Sequence, residues 1–411
     1  MDFSWSSILS HSLLVVLRVL GEPFFWIVVV LVWTQYRRML KTKESIYGRR
    51  DSSLRVSLIA LVYGVIGGFL GSFLMIIFGV TINGIGVAWL WVIALLLMLI
   101  SPRLLCFSYA GGILAVISLL FGYPQVNVPG LMGLVAVLHL VESILILLSG
   151  GQEPLPVYVR NPAGRVVGAF NLQKFWPIPL AVMMILLGAA DQTAGEMIKM
   201  PQWWPLIRPW DLAAGREPAY QILPVVAALG YGELAVTCLP RERTRRSAAH
   251  LACYSIILLG LAVVASHFPR LAVIPALFSP LGHELLVFLG RREELQGKPR
   301  FVPPAAGVMI LDVFKGSPAH LAGIKSGDII LSVDGLSVNS RYELSQMLRL
   351  AGDSFMAEIS NENGITRQIR VRREAGPHFG EITVPEPGDY PNVDFVMGSP
   401  LKNLIRRFRS R

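Results

Sequence analysis

The string HELLV starts at His283, with Glu284 beside it. A zinc hydrolase of the HExxH type needs two histidines four apart. Both then reach one metal from one helical face, and the glutamate between them acts as base. Here the second position is Val287. The aspartate that intramembrane zinc proteases add from a later apolar segment is missing as well, so the sequence carries half a motif. His139 and Glu142 make a second ionisable pair, three apart and so on one helix face. Ionisable groups at membrane depth are costly and often functional. A proton or solute relay is one use of such a pair; an interhelical hydrogen bond is the ordinary one, and the same holds for Glu233. Cys106, Cys238 and Cys253 lie in or beside apolar runs at no metal-knuckle spacing and read as buried small side chains. No catalytic residue, metal set or cofactor is expected on these grounds.

What must position these residues is a lipid-facing chain. Of its 411 residues, 53% are hydrophobic and 16% charged, against about 25% charged in soluble domains. Apolar runs near 12–34, 56–80, 86–100, 104–122, 127–149, 177–194, 219–239, 248–266 and 271–289 predict a polytopic α-helical membrane domain of about nine spans over residues 1–290. The start, MDFSWSSILSHSLL, has no basic residue ahead of its apolar part, so no cleaved signal peptide is expected. Basic residues in short loops set orientation. The segment from Arg37 to Arg55, Arg103, the stretch 150–176 with Arg160, Arg165 and Lys174, and the run RERTRR from Arg241 to Arg246 are expected inside. The loop 195–218, with Trp203, Trp204 and Trp210, is expected outside. Nine spans then place everything after residue 290 in the cytoplasm. In YGVIGGFLGS, Gly64 and Gly68, Gly67 and Gly71, and Gly68 and Ser72 stand four apart, a spacing that lets two helix backbones approach closely.

The chain changes character near residue 298. GVMILDVF, from Gly307 to Phe314, has a strand pattern. SPAHLAG opens a short helix with Ser317 as N-cap and Pro318 in its first turn, and Gly323 ends it. Asp334-Gly335 is a hairpin turn after IILSV. RYELSQMLRL, Arg341 to Leu350, is an amphipathic helix, and SFMAEIS and ITRQIRVR are two more strands. The stretch GSPAHLAGIKSGDIILSVDGLSV, Gly316 to Val338, resembles the core signature of bacterial PDZ domains: a small-residue helix, Gly-x-x-x-Gly-Asp, an apolar strand and Asp-Gly. The resemblance implies a small α/β PDZ domain over residues 298–376 that binds an extended peptide as an added strand. It implies a ligand-holding loop of Pro303, Pro304, Ala305, Ala306 and Gly307, a receiving strand of Val308, Met309, Ile310 and Leu311, and a groove helix contributing Leu344 and Leu348. The loop departs from the animal-type Gly-Leu-Gly-Phe pattern, so an internal segment competes with a C-terminus as the ligand. A PDZ fold used for packing alone is the other reading.

Residues 377–411 read as a linker and a tail. GPHFGEITVPEPGDYPNVDF is proline-rich and acidic. SPLKNLIRRFRSR spaces Leu401, Leu404, Ile405 and Phe408 along one helix face among Lys402, Arg406, Arg407, Arg409 and Arg411. Such a helix suits anionic lipid at the inner leaflet, with partner binding as the competitor. The net charge of +10 follows from this topology and implies no nucleic acid. Polytopic helices followed by one PDZ domain resemble the MinJ family of cell-division topological determinants of Gram-positive bacteria. That resemblance implies a non-enzymatic scaffold in the plasma membrane, enriched at septa and poles, bridging partners of the DivIVA and MinD kinds. A regulatory partner or inactive relative of an intramembrane protease, and a transporter with an attached PDZ domain, are the alternatives. A transporter would show internal repeats and broken helices, and no convincing repeat is present.

Overall fold

The computed structural model describes residues 5–47, 52–186, 203–208, 219–372 and 378–392. Helices α1 (Trp5–Val19) and α2 (Pro23–Tyr47) meet at a 68° bend, where Gly21 and Pro23 interrupt the helical pattern. Helix α3 (Ser53–Phe78) begins on the Ser52 side chain, which accepts from the Arg55 N–H. Two shorter helices follow, α4 (Val87–Ile100) and α5 (Phe107–Phe121). Helix α6 (Val128–Leu145) runs on into a π turn, Ile146–Gly150. Strands β1 (Leu155–Arg160), β2 (Val166–Leu186) and β3 (Ala219–Ala235) then form an antiparallel sheet in the order β1-β2-β3. Helices α7 (Pro240–His267) and α8 (Val273–Gln296) complete the apolar body.

Four helical segments, Ser53–Phe78, Val128–Gly150, Pro240–His267 and Pro269–Gln296, are long and apolar enough to cross a membrane, and a fifth is added if the bent α1–α2 pair counts as one span. These helices are compatible with a membrane protein. The nine expected spans are not found among the described residues. Helices α4 and α5 have 14 and 15 residues, about 21–22 Å at 1.5 Å per residue, short of a hydrocarbon core of about 30 Å. The runs expected as spans at 177–194 and 219–239 are strand wherever they are described up to Ala235, as β2 and β3. Their prolines supply the reason: Pro177, Pro179 and Pro224 each cost a helix interior about 3 kcal/mol.

The glycine stripe of α3 meets a strand on one side and a helix on the other. A Cβ on Gly64 would stand 2.0 Å from the Pro177 carbonyl oxygen, and one on Gly68 2.0 Å from that of Pro179. Ser72 Oγ accepts from the Ala181 N–H at 2.8 Å. Four helical residues rise about 6 Å and two strand residues about 6.6 Å, so a four-residue helix repeat tracks alternate positions of β2. Gly67 and Gly71 face Val141 and Leu145, or Val141 and Leu180. This packing also resolves the outer edge of β2, whose backbone polar groups are shielded from water. Phe175 N–H donates to Tyr36 Oη at 3.0 Å and Ile185 N–H donates to Asn83 Oδ1; Pro177 and Pro179 have no N–H to satisfy.

The last unit holds β4 (Val308–Val313), the short helix α9 (Pro318–Leu321), β5 (Ile329–Val333), β6 (Leu336–Ser337), α10 (Arg341–Leu350), β7 (Ser354–Ser360), β8 (Thr366–Arg372) and β9 (Glu381–Thr383). Its sheet runs β8-β7-β5-β4-β9, with β6 on β5. Val308, Ile310, Ile330, Leu344, Phe355 and Ile359 lie in its own core. The unit docks on the first sheet: Gly168 N–H donates to Phe301 O at 2.9 Å, Arg300 N–H donates to Val236 O at 3.0 Å, and the Phe170 and Phe301 rings meet edge to face.

Candidate peptide-binding groove and a buried histidine cluster

Strand β4 is the receiving strand expected from the sequence. One edge pairs with β5, Val308 opposite Ile330 and Met309 opposite Ile329. The other edge, where an added peptide was expected, carries β9: Ile310 stands opposite Thr383, Asp312 opposite Ile382, and Val313 opposite Glu381. Val384 N–H donates to Met309 O at 3.0 Å and Phe314 N–H donates to Gly380 O at 2.9 Å. Part of the segment expected as a linker is therefore an edge strand, with Ile382, Thr383 and Val384 all buried. Three strand residues among prolines and acids are too few for periodicity to reveal.

Arg341, the first residue of α10, holds that strand in place. Its Nε donates to Thr383 Oγ1 at 2.9 Å, its guanidinium donates to Val384 O at 3.4 Å and pairs with Asp389, and its backbone N–H donates to Glu386. Tyr158 of β1 donates to Thr383 O at 2.8 Å and lies under the guanidinium, 6.0 Å from ring centre to Cζ. Burial works to raise the Asp389 carboxyl, but the Arg341 hydrogen bond, the Glu386 N–H and the guanidinium charge outweigh it and hold it below the ordinary carboxylate range.

The ligand-holding loop has few donors to offer. Pro303 and Pro304 have no N–H, and Gly307 N–H already donates to Asn339 Oδ1 at 3.0 Å. Gly307 has φ 84°, and a Cβ there would stand 2.5 Å from Ile329 Cγ2. Ala305 and Ala306 are exposed. Leu344 and Leu348, expected to line a groove, are 1% and 6% exposed and belong to the domain core with Phe355 and Phe379.

The ionisable residues singled out in the apolar body are distributed differently from their sequence pairing. Cys106 Sγ stands 3.1 Å from His139 Nε2 and 3.7 Å from His283 Nε2. His139 Nδ1 is 2.7 Å from Val135 O, so it carries the proton and donates. Glu284 turns elsewhere, accepting from Tyr109 Oη at 2.6 Å and pairing with Arg103 at 3.2 Å. Glu233 lies on β3 and pairs with the buried Arg243 at 2.7 Å; Arg243 also reaches Glu293 at 3.1 Å and Glu294 at 3.3 Å. Within RERTRR, Arg243 and Arg246 are thus paired with acids. Sequence reasoning missed Cys106 because its partners are 33 and 177 residues away on other helices.

A PDZ-domain family model matches residues 309–356. The chain is similar to serine protease HTRA1 of Xenopus laevis, 36% identical over 64 residues, 15% of this chain and 14% of that one. It is also similar to a DegP-like periplasmic serine endoprotease of Marinomonas sp., 28% identical over 103 residues, 25% of this chain and 22% of that one. The chain spans less than a quarter of the length of these relatives. A PDZ domain is present in the C-terminal quarter, and the likeness to HtrA-type proteases is confined to its region.

Proposed function

We propose that this chain is a membrane-embedded, non-enzymatic scaffold that holds peptide segments of partner proteins through its PDZ domain on the cytoplasmic side. The observation that carries this reading is a PDZ domain docked, backbone to backbone, on the sheet that packs against the apolar helices. Strand addition at β4 then works by exchange: a partner segment replaces β9, which holds that edge in the resting chain. The side is supported by the basic segments. Lys43 borders the same hollow as Glu153 and Leu155, Glu153 pairs with Lys315 of the PDZ domain, and Arg243 sits beside the end of α8 that leads into it. The reading extends, on the sequence resemblance alone, to a role of the MinJ kind, restricting septum placement by bridging DivIVA-like and MinD-like partners. The likeness to HtrA-type PDZ domains favours a second reading, in which the domain presents peptide segments to a separate protease.

A fluorescent fusion expressed at native level is expected at septa and poles; an even distribution over the membrane overturns the division role and leaves the protease-accessory reading. A cysteine placed at exposed Lys325 is expected to resist impermeant maleimide in intact cells. Labelling from outside overturns the cytoplasmic placement.

A further inference from the structure

Three helices converge on one point in the apolar body. Cys106 caps the start of α5, His139 lies in the middle of α6, and His283 lies in the middle of α8. One ligand atom from each lies within 4.8 Å of the other two. The sulfur-to-nitrogen distances, 3.1 and 3.7 Å, bracket the separation of about 3.5 Å between a thiolate and an imidazole on one tetrahedral zinc. We propose that Cys106, His139 and His283 bind a single zinc ion, with a fourth position left open.

The surroundings match what such an ion requires. His139 Nδ1–H donates to Val135 O, which fixes the ring and turns the Nε2 lone pair toward the cluster. Ser108 N–H points at the Cys106 sulfur at 3.4 Å, a donor suited to a thiolate. His283 Nδ1 is buried without a hydrogen-bond partner among the described residues. That nitrogen is not the one facing the sulfur; zinc on Nε2 fixes it as Nδ1–H, the one outer-shell donor of the site without an acceptor among the described residues. The Tyr109 and Tyr254 rings stand against His283, with centroids 5.1 and 5.9 Å away, and wall the cluster from lipid. A zinc ion with one thiolate and two neutral imidazoles carries a net charge of +1. On coordination the Cys106 thiol proton leaves to solvent and the sulfur-metal bond replaces the S–H bond. The donor set of thiolate and imidazole suits zinc and excludes hard ions such as magnesium and calcium.

The test is metal content and cobalt substitution on the full-length protein purified in detergent. Mass-spectrometric analysis is expected to find about one zinc per chain. Replacement by cobalt(II) is expected to give intense visible ligand-field bands with a thiolate-to-cobalt charge-transfer band. Cys106→Ser and His283→Ala should each weaken zinc by at least about 100-fold, more than the loss of an outer-shell partner, while Cys253→Ser leaves it unchanged. The wild-type cobalt spectrum stands whether or not a variant folds. Failure to bind zinc at micromolar concentration, a cobalt spectrum without the sulfur band, or full binding in a folded Cys106→Ser protein each overturns the site.

Discussion

Asp312 sits on β4 at the seam between the PDZ domain and the helical body. Burial pushes its carboxyl up to about 6, against the Val313 N–H and the charges of Lys43 and Lys315. A carboxyl whose folded pKa is raised is favoured in its protonated form. Folding is therefore more stable below the unfolded value near 4, loses stability as pH rises from about 4 to about 6, and stays lower above that. The loss is on the order of 3 kcal/mol at most. Asp312→Asn is expected to unfold at higher temperature than the wild type at pH 7.5, and to show little change between pH 4.5 and 7.5 relative to it. Equal pH dependence in the two proteins would show that Asp312 is not the group responsible. Residues of this kind were only partly legible. His139, His283 and Glu233 drew notice because ionisable groups are expensive in lipid. Their actual partners, Cys106 and Arg243, are set by tertiary packing and leave no local spacing.

At the scale of elements, the small-residue stripe of α3 was readable and its partner was not. Gly64, Gly68 and Ser72 have the spacing that brings a backbone close, but a strand at alternate residues fits the same rise as a helix. Hydropathy scores a buried strand and a buried helix alike; Pro177 and Pro179 were the local clue. The fit gives a sharp contrast between two glycines. In Gly64→Ala the new methyl meets the Pro177 carbonyl, which is backbone and cannot step aside, so a loss of about 3 kcal/mol is expected. Gly260 on α7 has nothing within 4 Å of its Cβ position, and Gly260→Ala is expected to be neutral or to stabilise by up to about 1 kcal/mol. Thermal unfolding in one detergent compares them. A neutral Gly64→Ala protein would mean that β2 does not lie against α3.

At the scale of the whole molecule, each departure from the nine expected spans, which are not found among the described residues, concerns a pair. The segment 84–127 leaves and returns at one end, where Asn127 N–H donates to Gly84 O. Two expected helices become two strands, β2 and β3, that run the same course in opposite directions. The PDZ domain was legible from Gly316 to Val338, yet its edge strand came from residues that read as linker. That strand is the part of the molecule most open to test. Arg341 joins α10, β9 and the Asp389 turn through charge-assisted hydrogen bonds, each worth about 1.5–3 kcal/mol. In Arg341→Ala the loss of about 2 kcal/mol, softened by partial exposure, should open β9 about 30-fold more often. Hydrogen exchange at Phe314 and Val384, whose N–H groups bond across the β4–β9 seam, should quicken by that factor. Ile310, whose N–H bonds to Asp328 O on the far side of β4, should not change. Asp389→Asn should act in the same direction more weakly. Because the Arg341 pairing holds the Asp389 carboxyl below its ordinary range, its contribution should persist on acidification to pH 5 and be lost only as pH falls through that lowered value. Unchanged exchange at Phe314 and Val384 would remove Arg341 as the clasp, and equal quickening at Ile310 would mean that the domain loosens as a whole instead of releasing one strand.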